Sequence, residues 1–415
     1  MSASGTMLEQ EMANKEEGTQ SWVYTDTGAT RDLRLDFLRG FVIPLLFASH
    51  FEYFSALMFV GWERAGIVST AEIFVILAGV VVGMVFGKKL KKDGLAAVMP
   101  SLMDRSVKLY LTNVMLILII AGIRYLPEID STIITTFHSP FSGKTFPLFP
   151  SMESGFFNLV SQALLLRIGP HQFQIIGMYV AMFVLVTPFI FFMISRKRVA
   201  LLLGISWVIY LINFGAHEPN SGSPAFRPTG AQFEYAFPIL AWQMIYVHGV
   251  VAGYFKKEIL EFFSTQQGKL VMYASFALTF AFFILTWNNP LKEFGSAHFS
   301  MISPDTFHSI YGQYFQKYKL GPGRVLNAFV LLITMYAILT RFWVPINKAL
   351  GWFFIPLGQA SLYVFFVHIF FLLILANTPL PAMNDFWINT AIHAGLLFTA
   401  WAMVRTRFLF KIIPN

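Results

Sequence analysis

Apolar residues in this chain gather into blocks separated by short polar tracts. Most blocks approach the roughly 20 residues that a helix needs to cross a bilayer. Ten are read, at about 37–60, 70–87, 105–123, 173–194, 199–214, 235–255, 269–287, 324–341, 353–376 and 387–404. The pattern predicts an all-α, polytopic membrane protein of about ten transmembrane helices. The first block contains Pro44, which a packed membrane helix accommodates as a kink. The second carries Gly79, Gly83 and Gly87, four apart on one face, a small-xxx-small spacing that lets another helix approach closely. Two long loops, Leu126–Gln172 and Asn288–Gly323, carry aromatics, prolines and scattered polar residues. Within the first, Ser154–Arg167 has the pattern of an amphipathic helix lying at the interface; a re-entrant segment or short extra span is the alternative.

Composition agrees with the pattern. Of the 415 residues 56% are hydrophobic and only 13% are charged, half the usual share of a soluble domain. The net charge of +8 does not point to nucleic acid, because the basic residues sit in tracts between apolar blocks and not on one face of a fold. With no cysteine, thiol nucleophiles and disulfides are excluded. Placing the N-terminus in the cytoplasm puts 21 of the 30 Lys and Arg on the cytoplasmic side, so both termini are expected there. Residues 1–30 read as a polar, disordered cytoplasmic tail, 31–405 as a single membrane domain and 406–415 as a basic cytoplasmic tail. The lipid bilayer is the one partner that the pattern itself demands.

Candidate chemistry starts at His50. Thirteen residues beyond Phe37 it lies about 20 Å along the first helix, slightly past the midplane. An ionisable group there is costly and is read as a functional-site candidate, with a structural histidine hydrogen-bonded inside the bundle as the alternative. Glu72, in the first turn of the next, antiparallel helix, falls at similar depth and is expected to orient the imidazole as a general base. Glu52 is a weaker partner, since it points about 200° away from His50 on the same helix. His368 reaches comparable depth in the ninth block, where packing is the alternative to a catalytic or substrate-binding role. Gln243 is a further buried polar group, and Arg324 is placed either to hold an anionic or sugar ligand or to anchor at the interface. At the cytoplasmic end Asp36 and Arg39 share a face and pair. With Arg105 and the Lys88–Lys92 loop, Arg39 forms a basic rim that would draw a phosphorylated ligand; the plain positive-inside signal is the alternative. No phosphate-binding loop, Gly-x-Ser-x-Gly elbow or metal-ligand spacing is present, so no metal is expected.

Arg31-x-x-x-x-Asp36-x-x-Arg39-Gly40 followed by His50 resembles the first-helix signature of the OpgC family, a branch of the type-three integral-membrane acyltransferases. Ala71-Glu72-Ile-Phe-Val-Ile-Leu-Ala-Gly79 is similar to the family's second-helix motif, with Ala78 where serine is usual. Ile239-Leu-Ala-Trp-Gln243, Gly323-Arg324-Val-Leu-Asn327 and Ser361–His368 resemble later blocks, in the family's order. The resemblance implies a multi-pass O-acyltransferase of the bacterial cytoplasmic membrane. Its donor would be acyl-CoA, succinyl-CoA above all, used as co-substrate with no tightly bound cofactor. Its acceptor would be an extracytoplasmic glycan, such as an osmoregulated periplasmic glucan. His50 would be the catalytic base, Glu72 the family's acidic position and Arg39 a donor contact. The rival reading is a transporter or flippase for a glycan or lipid-linked intermediate, against which no inverted repeat or paired broken helices are found.

Overall fold

The computed structural model describes residues 22–25, 31–51, 53–61, 63–138, 144–215, 226–291, 294–295, 297–378 and 385–413. Its helices are α1 (Leu33–Phe51), α2 (Thr70–Asp93), α3 (Leu95–Ile123), α4 (Phe156–Leu164), α5 (His171–Ser195), α6 (Val199–Gly215) and α7 (Ile239–Tyr254). They continue as α8 (Lys256–Ser264), α9 (Gln266–Thr286), α10 (Pro304–Ile310), α11 (Pro322–Arg341), α12 (Trp343–Gln359), α13 (Ser361–Ala376) and α14 (Phe386–Arg405). Each apolar block contains one of them, or in one case two. Six are long and apolar enough to cross a membrane by length and composition, or seven if α12 and α13 are one bent span. α6 and α7 are apolar but shorter. α1 carries Arg34, Asp36 and Arg39 in its first two turns and ends at Phe51, well short of the expected Val60.

The glycine spacing of α2 is used against α7. A Cβ on Gly79 would lie 2.6 Å from the Tyr246 carbonyl oxygen, and one on Gly249 would lie 2.5 Å from that of Ile76. Gly83 and Gly253 face the opposite backbone in the same way. A second close crossing joins α1 to α12, where Gly40 lies against Phe354 and Gly358 against Asp36. Directly after it the chain bends by 86° between α12 and α13, at Ala360. In the first long loop the helix is shorter than its pattern. α4 buries Leu159 and Ala163, takes a 2.7 Å hydrogen bond from Tyr110 to the Leu164 carbonyl, and leaves Phe156 and Phe157 exposed. A hairpin of β1 (Thr136–His138) and β2 (Thr145–Pro147) precedes it.

The start of α1 is tied down by a charged knot. Asp32 accepts from the Arg34 backbone N–H at 3.0 Å, and its carboxylate also takes the Arg34 side chain, Tyr336 (2.8 Å) and Lys256 (2.7 Å). Arg34 lies between the Tyr24 and Tyr336 rings, so part of the tail expected to be disordered, residues 22–25, is docked here; the rest lies outside the described residues. Burial opposes the Asp32 charge, but the bonds from Arg34 and Lys256 outweigh it and hold its pKa at about 2. Because the folded-state value lies below the ordinary 3.8, this stabilisation is complete above pH 4 and fades as pH falls towards 2. Asp32→Asn is expected to cost about 2 kcal/mol at neutral pH. In detergent thermal melts its loss of Tm between pH 4 and pH 2 should be smaller than that of the parent protein.

Candidate active site

α1 delivers His50 in its last turn, and α13 brings His368 against it. His50 Nδ1 and His368 Nε2 are 2.7 Å apart, with the rings 4.9 Å apart and 26° from parallel. The other His368 nitrogen, Nδ1, faces the Phe365 carbonyl oxygen. A carbonyl can only accept, so the His368 proton sits on Nδ1 and its Nε2 is the acceptor. His50 must then donate from Nδ1, which leaves its Nε2 carrying a lone pair. No protein group hydrogen-bonds to that nitrogen among the described residues. The carbonyl thus fixes the tautomer of both rings and presents the half-buried His50 as a base.

Glu72 does not meet His50. It is the third helical residue after Ser69, and one carboxylate oxygen turns back to accept the Ser69 N–H at 2.8 Å as part of a capping box. Its other oxygen takes Arg324 Nη1 at 3.0 Å. The equal depths inferred for His50 and Glu72 say nothing about where each lies around its helix axis, and cap and arginine occupy the carboxylate. Glu52 lies outside the described residues.

Arg324 is likewise committed. It is fully buried, and donates to the Phe315 carbonyl (2.8 Å), Glu72, Glu63 and the Tyr311 hydroxyl (3.1 Å). It is neither an interfacial anchor nor an open ligand site. Gln243 is consumed in the same manner: its amide accepts from Ser206 at 2.7 Å and donates to the Ser206 carbonyl at 2.9 Å, locking α7 to α6. Neither contact leaves the side chain for substrate.

Lys317, absent from the sequence-based candidates, is near enough for charge to act between it and both the Glu63–Arg324–Glu72 cluster and His50, on which the charge of His171 acts as well. The Lys317 ammonium group makes no hydrogen bond or ion pair among the described residues and rests 5.5 Å from the centre of the Phe237 ring. Burial pushes its pKa down, while Glu72 and Glu63 draw it back up. His171 also presents a buried Nδ1 without a partner among the described residues. No periodicity marks either residue, since both belong to segments bordering the long loops.

At the other end of α1 the expected pair is formed: Arg39 lies 3.8 Å from Asp36, which also receives Arg31 at 3.5 Å and Gln359 at 3.3 Å. Arg39 donates to the Ser361 hydroxyl at 2.7 Å, at the start of α13. Arg105 lies near enough for its charge to act on Arg39, with its guanidinium 5.9 Å from the Phe183 ring centre. Two polar centres therefore stand on the same two helices, α1 and α13. Eleven residues of α1, about 16 Å, separate Arg39 from His50.

A family model described as OpgC protein matches residues 31–412, nearly the whole chain. No curated protein and no solved structure matches it. A polytopic helical protein with a buried, tautomer-fixed histidine accords with that match, and the chain belongs to the OpgC family of acyltransferase-like membrane proteins.

Proposed function

We propose that the protein moves an acyl group, succinyl by preference, from acyl-CoA on the cytoplasmic side to a hydroxyl of an extracytoplasmic glycan. The observation that carries the reading is the free Nε2 of His50, held by His368 and the Phe365 carbonyl. In the proposed step His50 Nε2 takes the proton of a sugar hydroxyl as its oxygen attacks the thioester carbonyl. The C–O bond forms, the C–S bond breaks, and the proton passes on to the departing thiolate. The positive charge on His50 is shared through its Nδ1–H bond to His368. An acyl-histidine intermediate is the alternative route. Ten crossings with both termini in the cytoplasm would set Arg39 towards the donor and His50 towards the acceptor.

Lys317 is suited to receive the free carboxylate of a succinyl group, a role that Arg324, already satisfied by two glutamates, does not fill. A charge-assisted hydrogen bond contributes about 1.5–3 kcal/mol. Lys317→Met is therefore expected to lower kcat/KM for succinyl-CoA by about 10- to 100-fold. Acetyl-CoA turnover should change little; competing the two donors in one assay reads the ratio. Equal losses for both would remove this assignment.

The founding test incubates the purified protein with labelled acyl-CoA and glycan. Ester-linked label on the glycan is the expected result. The 86° break between α12 and α13 gives the transporter reading one structural point in its favour. Glycan uptake into liposomes, without transfer from any acyl-CoA, would establish that reading instead.

A further inference from the structure

A cavity of about 730 Å³ opens at the Arg39 end of the bundle, between the start of the membrane domain and the segment that follows α14. Four cations line it: Arg31, Arg405, Arg407 and Lys411. Among the described residues no carboxylate does. Asp36, which lies close by, is already shared by Arg31, Arg39 and Gln359. The side chains of Arg405, Arg407 and Lys411 make no ion pair among the described residues, so three of the four charges stand uncompensated around one concave space.

The segment that supplies them is built into the fold. After α14 the chain turns back on itself through Arg407 and Leu409, both with φ of 55°, a left-handed conformation that side chains rarely adopt. The Phe410 ring packs 4.6 Å from that of Tyr363 on α13, and Ile413 is buried. A stretch that reads as a basic tail is thus a strap that places its cations. The far wall is Gln359 and Ala360, at the bend between α12 and α13. The next residue, Ser361, holds Arg39, and α13 continues from there to His368. The cavity therefore sits at the head of α13, the helix that carries His368, the partner of the candidate base.

We propose that this cavity binds a phosphate-bearing anion, namely the nucleotide head of the acyl donor. The inference rests on the acyl-CoA reading above. Volumes of about 300–1,000 Å³ are usual for such ligands, and clustered arginines suit phosphate oxygens. The acyl arm then runs along α1 and α13 towards His50. An anionic lipid headgroup shares the phosphate chemistry and is the competing occupant.

The test measures binding of coenzyme A and of pantetheine, which lacks the phosphates, to the full-length protein in nanodiscs. The variants are Arg405→Gln/Arg407→Gln together and, separately, Lys411→Glu, which guards against misfolding of the first. Both are expected to weaken coenzyme A binding at least tenfold, to leave pantetheine binding unchanged, and to flatten the salt dependence of the Kd. Nanodiscs of phosphatidylcholine alone, or with phosphatidylglycerol, separate the sources. Coenzyme A affinity that is unaltered in both variants, with wild-type transfer intact, overturns the cavity assignment and leaves the acyl-CoA reading standing. Loss of phosphatidylglycerol-dependent thermal stabilisation with unchanged coenzyme A binding makes it a lipid site. If the wild type neither binds coenzyme A nor transfers from any acyl-CoA, the underlying reading fails and this inference with it.

Discussion

His50→Ala is expected to lower acyl transfer by about 10²- to 10⁴-fold, the usual contribution of a positioned general base. Coenzyme A affinity should hold, because the proposed donor head lies at the opposite end of α1. The fall should thus appear in kcat at saturating donor. His368→Gln is expected to fall less, since a glutamine oxygen can still accept from His50 Nδ1 but cannot take up the imidazolium charge. Its signature is a displaced pH profile of kcat, which mere loosening of α13 would not produce. Transfer that survives His50→Ala would sink the mechanism. Label retained on wild-type protein without acceptor, and absent from His50→Ala, would turn direct transfer into the acyl-histidine route.

What could be read in the residues divides along physical lines. Hydropathy depends on how many apolar side chains follow one another, so each helical block was visible. The Gly79, Gly83 and Gly87 spacing announced a close crossing, though not that α7 would fill it. Helix ends were less legible: α1 stops at Phe51, while apolar residues continue through a short 3-10 turn at Ala56–Phe59. Nothing at Ala360 itself marks the 86° bend. His50 and His368 stood out because ionisable groups are rare in apolar helices, but depth along a helix is one coordinate of three. It brought Glu72 level with His50 without revealing which way the carboxylate faced. The spacing Ser69-x-x-Glu72 is a capping-box pattern and would have pointed the carboxylate back to its own helix start. Lys317 depends on the path of an irregular loop, which no periodicity encodes.

The second large effect falls on stability and discriminates between the two duties open to Glu72. Arg324 is completely buried between Glu63 and Glu72. Removing one partner of a buried ion pair leaves an uncompensated charge in an apolar surround and costs about 3–5 kcal/mol. Arg324→Ala is expected to be the worst single change, because two carboxylates then face one another beside Tyr311. Glu72→Gln should cost less, since Glu63 still neutralises the guanidinium and the amide oxygen can still accept from Arg324, at the loss of the Ser69 N–H bond. The double change Glu72→Ala/Arg324→Ala should be less damaging than the sum of its parts, because each removes the charge that the other would strand. Thermal unfolding in detergent, with the monodisperse fraction on gel filtration, reads all three. Transfer provides the contrast. If Glu72 acts as a brace for Arg324 and the α2 start, Glu72→Gln lowers Tm, and the protein that remains folded transfers at near the wild-type rate. If it acts on His50 after all, the folded fraction of Glu72→Gln would lose transfer with little change in Tm.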